Sequence, residues 1–432
     1  MAARRDVLRL AAHMGAVAAW MPLAGHAAQP SPPPPSRVAA MIERWTGPGR
    51  FSGMIAALGL PGKEPQFTVR GTDSFVDLDP LTPDSLFRIY SMTKPITGMA
   101  AMMLIDEGRL RLDQPLADIL PKFARMQVQV TPDGSITDLR PAKTPITIRH
   151  LVTHTSGLGY SIVQKGPIKE AMEKKGLISG RISRIALPGF DRGKPVGSLE
   201  AFADGMAALP LVYEPGTQWS YGVGLDVMGR VIEVVSGMPF DRFLQERMFG
   251  PCGMTSTWFQ VPAADAKRLT TNYVVLGQTF VPIDKGDDSI FLDKPPFPMG
   301  GSGLVSSPRD YDRFLHMLGG YGTIEGTRVM SEAAVRMGTS NLLPPGANHA
   351  SIMMMPNSDF GAGGRVGNGP EAGIYGWAGA AGTVAMVDMN RGIRSGIFEQ
   401  FMPPNTNSLL SEFQHALRAD LSSLMASAEL RK

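Results

Sequence analysis

Hydrophobic positions along this 432-residue chain follow three patterns. Near the start, F-S-G-M-I-A-A-L-G-L (51–60) and Q-F-T-V-R-G-T (66–72), joined at P-G-K-E, predict two strands. Near the end, G-T-V-A-M-V-D-M-N-R-G-I-R-S-G-I-F-E-Q-F (382–401) predicts two more strands around an N-R-G turn. The second pattern is helical spacing. It predicts helices over 37–45, over 225–237 with Gly237 as the stop, and an amphipathic C-terminal helix over 408–421. The third is I-T-G-M-A-A-M-M-L-I-D-E-G (96–108), apolar on nearly every side and stopped by Gly108, which predicts a buried helix. The middle of the chain is rich in helix and loop, and 161–197, with K-E-A-M-E-K-K-G among Gly/Pro punctuators, suits a covering insertion better than a sheet. The expected class is therefore α/β plus all-α: an antiparallel sheet made from both chain ends, flanked by helices, with a helical domain inserted.

Composition narrows the setting. With 43% hydrophobic and 19% charged residues the chain reads as a globular protein with a large core. The N-terminus, A-R-R-D-V-L-R-L, carries a twin arginine ahead of a weak apolar stretch (11–24) and then small residues. That pattern predicts an export signal over 1–28, cut near Ala27 or Ala28, and a periplasmic or secreted mature protein. A short buried N-terminal helix is the alternative, disfavoured by the Q-P-S-P-P-P-P-S linker (29–36) that follows. No segment reaches about 18 uninterrupted apolar residues, so no stable membrane span is expected once the signal is removed. The formal charge of +3 falls to about +1 without Arg4, Arg5, Arg9 and Asp6, and no Lys/Arg run is interleaved with aromatics, so nucleic acid is not expected as a partner. Cys252 is the only cysteine, which excludes an intrachain disulfide; in P-C-G-M it is expected to pack as a small hydrophobe.

The candidate chemistry lies at F-R-I-Y-S-M-T-K-P-I-T-G (87–98), just ahead of the buried helix. A serine hydroxyl is a weak nucleophile until a base removes its proton. No G-x-S-x-G elbow occurs, but Ser91 and Lys94 are three residues apart, so in a helix they share one face. Ser91 at the helix start lies near backbone N–H groups and the positive dipole end, and Pro95 is tolerated in the first turn. A buried lysine loses the solvation of its charged form and becomes available as a base. This is the only S-x-x-K in the chain, yet the spacing alone fits an ordinary polar pair as well as a nucleophile with its base.

The surroundings add to that reading. The blocks F-R-I-Y-S-M-T-K-P-I-T-G-M, H-L-V-T-H-T-S-G-L (150–158), E-P-G-T-Q-W-S-Y-G-V-G-L-D-V-M-G (214–229), M-G-G-S-G-L-V-S-S-P-R-D-Y (299–311) and Y-G-W-A-G-A-A-G-T (375–383) occur in that order. Together they resemble the serine β-lactamase/penicillin-binding-protein superfamily, in its class C-like branch of family VIII carboxylesterases. The resemblance covers about 37–425 and implies an α/β part at about 37–110 and 290–425, with a helical part at about 111–289. It implies Ser91 as acylated nucleophile, Lys94 and Tyr221 as proton handlers, and the backbone N–H groups of Ser91 and Ala380 as oxyanion hole. Trp377 and Gly379 fall in the strand segment beside the substrate. Two departures bear on specificity: Val223 stands where the family has an asparagine after the tyrosine, and Trp377 where it has a lysine. Neither can pair a carboxylate, so substrate-binding roles at Val223 and Trp377 favour small or medium apolar acyl esters over β-lactams.

The expected activity is ester hydrolysis on a small-molecule substrate without metal or organic cofactor. The alternatives are β-lactamase, D-amino-acid peptidase, amidase or acyl-transfer chemistry at the same serine, or a cell-wall-binding protein without turnover. Tyr160, directly after H-T-S-G-L-G, is a further candidate for the cleft wall. His150 and His154, four apart, lack a third ligand and are expected to be structural. Gly300, Gly301 and Gly303 are expected to line the cleft, and the run Met353-Met354-Met355 to make an apolar contact.

Overall fold

The structure, a computed structural model, describes residues 36–47, 49–185, 193–277, 279–349, 357–403 and 408–429. The expected export segment, the linker up to residue 35, and the Met353-Met354-Met355 run lie outside the described residues.

Helix α1 (Arg37–Trp45) starts at Ser36, whose hydroxyl accepts the Ala39 N–H, and leads into β1 (Gly53–Gly59) and β2 (Gln66–Gly71). After the nucleophile block comes α2 (Thr93–Asp106). The middle of the chain supplies α3 (Ile148–Val152), α4 (Gly166–Lys174), α5 (Leu199–Ala207) and α6 (Gly224–Ser236), the last ended by Gly237 in the left-handed conformation. Then follow α7 (Pro308–Gly319), the strands β3 (Ser358–Phe360), β4 (Arg365–Gly367), β5 (Ile374–Ala378), β6 (Val384–Asp388) and β7 (Ile393–Phe398), and α8 (Leu409–Glu429).

These seven strands form one antiparallel sheet in the order β3-β4-β5-β6-β7-β1-β2, so the N-terminal hairpin closes onto the last C-terminal strand. The period of two along β1 explains its two-sided burial. Ile55 and Ala57 join the core shared with α2 and α7, while Met54 and Ala56 face the cluster made with α1 and α8. Both faces are thus covered, which is why these strands read as apolar runs rather than clean alternation. Arg394 on β7, wholly buried, forks onto Asp312 of α7 at 2.9 and 3.0 Å and ties helix to sheet.

Helix α2 lies in the interior, packed against α6 and the short helix Glu332–Gly338. Its apolar sides are consistent with that position: every residue from Thr93 to Leu104 is buried. Gly98 permits the approach of the 362–363 backbone, since a side chain there would collide with the Ala362 carbonyl.

Two expectations need correction. The segment expected to be helical, 111–289, also carries the strand pair Asn272–Leu276 and Thr279–Asp284, extended by the parallel strand Phe401–Met402. Its β-branched and aromatic residues, N-Y-V-V-L and T-F-V-P-I-D, suit a pleated half-buried surface. The C-terminal helix runs to Glu429 rather than 421, because 422–429 contains neither glycine nor proline to stop it. Among the described residues, no helix is long and apolar enough to cross a membrane.

Candidate active site

Ser91 sits in a single tight turn, Tyr90–Met92, that feeds directly into α2. The turn is sharp: Tyr90 has φ +40°, a conformation that non-glycine residues avoid. Such strain, of order 1–3 kcal/mol, persists only where the surroundings fix the residue. Here Tyr90 is buried and its hydroxyl accepts a hydrogen bond from Asn272 Nδ2 at 3.1 Å. The turn leaves Ser91 half-buried and accessible, whereas Lys94, one helical turn on, is 1% exposed.

Two side chains converge on Ser91 Oγ. Lys94 Nζ is 3.1 Å away, and Tyr221 Oη donates to the same oxygen at 2.8 Å. Lys94 Nζ also donates to the Gly301 carbonyl at 2.6 Å, so the glycine-rich loop holds the lysine in place. Trp377 Nε1 donates to Tyr221 Oη at 3.4 Å, and the rings of His154, Trp219 and Trp377 pack around the tyrosine.

The electrostatics assign different work to the two proton handlers. Burial pushes Lys94 below its usual range, with Tyr160 and Asp226 opposing, so its neutral, basic form becomes accessible. Burial pushes Tyr221 up to about 12, against hydrogen bonds from its contacts with Ser91 and Trp377. At neutral pH the tyrosine therefore carries its proton and acts as a donor. A neutral Nζ at 3.1 Å can accept the serine proton, and the Tyr221 hydroxyl can pass one onward.

On the oxyanion side, Gly379 follows β5 and lies against the nucleophile turn. An added Cβ there would come within 2.5 Å of the Ile89 carbonyl. β4 pairs with β5 only at Tyr375 and Gly376, so among the described residues no strand pairs with β5 beyond Gly376 on that side. Ala380 is half-buried in the turn that follows, and among the described residues none accepts its N–H.

Tyr160 is buried beside this group, its ring 5.8 Å from that of Tyr221 and 6.0 Å from Lys94 Nζ. Val223 requires a correction. It caps the start of α6 with no exposed surface, so it presents no wall to a substrate in this structure. Trp377 is 2% exposed and its N–H is engaged by Tyr221, which places it with the proton machinery more than with the substrate wall.

The two histidines part company. His150 closes a capping box with Thr147 at the start of α3. His154 Nδ1 accepts the Gly222 N–H at 3.2 Å, adjacent to Tyr221, which puts its own proton on Nε2. Burial holds His154 well below the ordinary histidine range. Among the described residues no cluster of three or more metal-ligating side chains occurs. Cys252 is buried, and burial raises its thiol to about 12.

Asp226 was not singled out from the sequence. It lies in the first turn of α6, 2% exposed, its carboxylate accepting the Gly301 N–H at 3.0 Å. The signal was available as a lone carboxylate in the otherwise apolar G-L-D-V-M-G of the tyrosine block.

Comparison with known proteins gives the family and the fold. The family model described as "Beta-lactamase" matches residues 38–417. A protein of Mycobacterium tuberculosis, Rv1367c, is 35% identical over 277 residues, covering 64% of each chain. The present chain thus spans somewhat less than two thirds of that relative's length. The lovastatin esterase of Penicillium rubens is 31% identical over 306 residues, 68% of this chain and 69% of its own. Among solved structures, EstCE1, described as a hydrolase with promiscuous acyltransferase activity, superposes with a TM-score of 0.71 at 23% identity, covering 88% of this chain and 97% of its own; that likeness concerns the fold.

Proposed function

The chain belongs to the beta-lactamase family, and on that premise we propose that it is a serine hydrolase of carboxylic esters, of the family VIII carboxylesterase type. The observation that carries this reading is the convergence of Lys94 Nζ and Tyr221 Oη on one serine oxygen, at 3.1 and 2.8 Å. Ser91 Oγ attacks the ester carbonyl carbon as its proton moves to neutral Lys94. The oxyanion is held by the N–H groups of Ser91 and Ala380. Collapse of the intermediate expels the alkoxide, which takes a proton delivered through Tyr221, and the acyl group remains on Ser91. Water then attacks the acyl-enzyme, giving one proton to the same pair; the acyl–Oγ bond breaks, that proton returns to Ser91 Oγ, and the acid is released.

The absence of a lysine at 377 supports uncharged small or medium acyl groups over β-lactams. The esterase name of the 31% identical relative supports the same class. Acyl transfer to an alcohol in place of water is the second reading. It needs no different site, and the name of EstCE1 records both activities for that protein. The twin-arginine start supports export to the periplasm or beyond.

A panel of p-nitrophenyl esters of graded acyl length, run beside nitrocefin, tests the proposal. Ester turnover that is lost in Ser91→Ala is expected. Rapid nitrocefin hydrolysis with no ester turnover would overturn it.

A further inference from the structure

Lys94 has to remain on Ser91 while its charge changes during the reaction, and no carboxylate among the described residues lies within ion-pair distance of it. What sits behind it is Gly301. The Gly301 carbonyl accepts Lys94 Nζ at 2.6 Å, and the Gly301 N–H donates to Asp226 Oδ1 at 3.0 Å. The glycine is therefore gripped from both sides, by a lysine through its carbonyl and by a buried carboxylate through its amide. Only glycine fits: a Cβ at 301 would stand 2.6 Å from Asp226 Oδ2. The Ser179 hydroxyl also hydrogen-bonds the Asp226 carboxylate, and Ser179 Oγ lies 3.3 Å from Ser302 Oγ, so the grip extends into the loop.

We propose that Asp226 is a positioning residue of the reaction: acting through Gly301 and through its own negative charge, it seats Lys94 on Ser91 and sets how tightly the lysine holds its proton. The proposal rests on the hydrolase reading of the site. The titratable groups facing this pair are few. Lys94 is met by Tyr160, Tyr221, His154 and Asp226; Asp226 is met by Lys94, Tyr221 and the Ser179 hydroxyl. His154 is neutral and Tyr221 protonated near neutrality, so the groups that favour the charged lysine are Tyr160 first and, when ionised, Asp226, the one of the two that also grips Gly301. Burial opposes ionisation of both members, and against it each one, when charged, favours the charged form of the other.

The sign follows. Neutral Lys94 is the base, so kcat/KM falls on the acid side as Lys94 gains its proton. Removing the Asp226 charge lets the lysine lose its proton more readily and moves that acid limb to lower pH. Asp226→Asn keeps the shape and leaves an amide oxygen for the Gly301 N–H, but removes the charge. It should shift the limb acidward by about one pH unit. Ser179→Ala removes a donor that favours the ionised carboxylate and should shift the limb the same way by less. Both are read as kcat/KM for p-nitrophenyl butyrate against pH on the purified mature protein, with folding checked by circular dichroism. An acid limb that stays in place in the folded variants, with only a uniform loss of rate, overturns the proposal and leaves Asp226 a structural residue. A wild type that turns over no ester sinks the hydrolase reading instead, and the two failures are told apart by that control.

Discussion

Tyr221 Oη donates to Ser91 Oγ across 2.8 Å, although 130 residues of chain separate the two. The pairing exists because α2 and α6 pack against each other in the core, each presenting its N-terminal end to one point. With its proton held to about 12 by burial, Tyr221 enters the reaction as a hydroxyl. Tyr221→Phe should keep the fold and lower kcat by about 10²-fold, with a smaller change in KM. Steady-state kinetics on p-nitrophenyl butyrate measure this; an unchanged kcat would remove Tyr221 from proton transfer.

The same shift makes a statement about pH. An ordinary tyrosine titrates near 10, so one poised as a base would ionise across the alkaline range. Tyr221 instead stays protonated, and kcat/KM should hold a plateau to about pH 10 once Lys94 has lost its proton. A decline that sets in near pH 8 and disappears in Tyr221→Phe would contradict this assignment.

Gly379 is expected to tolerate no side chain. A Cβ there is closest to the Thr383 hydroxyl and stands 2.5 Å from the Ile89 carbonyl, two residues before the nucleophile, so Gly379→Ala must shift the oxyanion segment against these neighbours. Loss of one oxyanion donor costs about 10²–10³ in kcat, and a loss in that range is expected, together with a lowered Tm from the buried clash. Parallel measurements of kcat and Tm decide; a variant as active as wild type would show that the strand does not hold the oxyanion.

Glu399 supplies a stability test. It is 1% exposed, and among the described residues neither carboxylate oxygen has a hydrogen-bond partner. Burial raises it well above the usual 4.5, so the folded chain holds a proton that the unfolded chain releases. A carboxyl raised on folding makes stability fall as pH rises above its unfolded value, by up to about 1.4 kcal/mol per pH unit. Glu399→Gln should remove that dependence and gain on the wild type progressively between about pH 5 and 8. Urea unfolding at several pH values reads the difference; identical slopes for the two proteins would exclude the effect.

Arg394 and Asp312 are buried together, with bonds of 2.9 and 3.0 Å. Arg394→Met leaves the aspartate buried and alone, and should cost about 3–5 kcal/mol. Chemical denaturation measures this, and a loss under about 1 kcal/mol would mean that Asp312 finds another partner.

The parts of this structure most legible in the sequence are those written in short-range patterns. The buried helix after Ser91 was readable because an all-round apolar segment has nowhere to go but the core, and the terminal strands because β-branched runs and an N-R-G turn are local signals. Tyr221 was legible only through its block, since no spacing rule brings position 221 to position 91. Val223 was misplaced for a related reason. Sequence gives its identity but not that the start of α6 turns its side chain inward, with no exposed surface. Asp226 was passed over because its significance is tertiary: it acts through the Gly301 amide, 75 residues further on. The pair of strands at 272–284 was hidden by the helix-rich stretch around it, although its own residues favour strand.

The most direct test of the central claim is intact-protein mass spectrometry after treatment with a fluorophosphonate probe, followed by peptide mapping. One adduct per chain on Ser91, absent in Ser91→Ala and much slower to form in Lys94→Ala, is the expected result. A wild type that stays unlabelled, or an adduct on another residue that persists in Ser91→Ala, would contradict it.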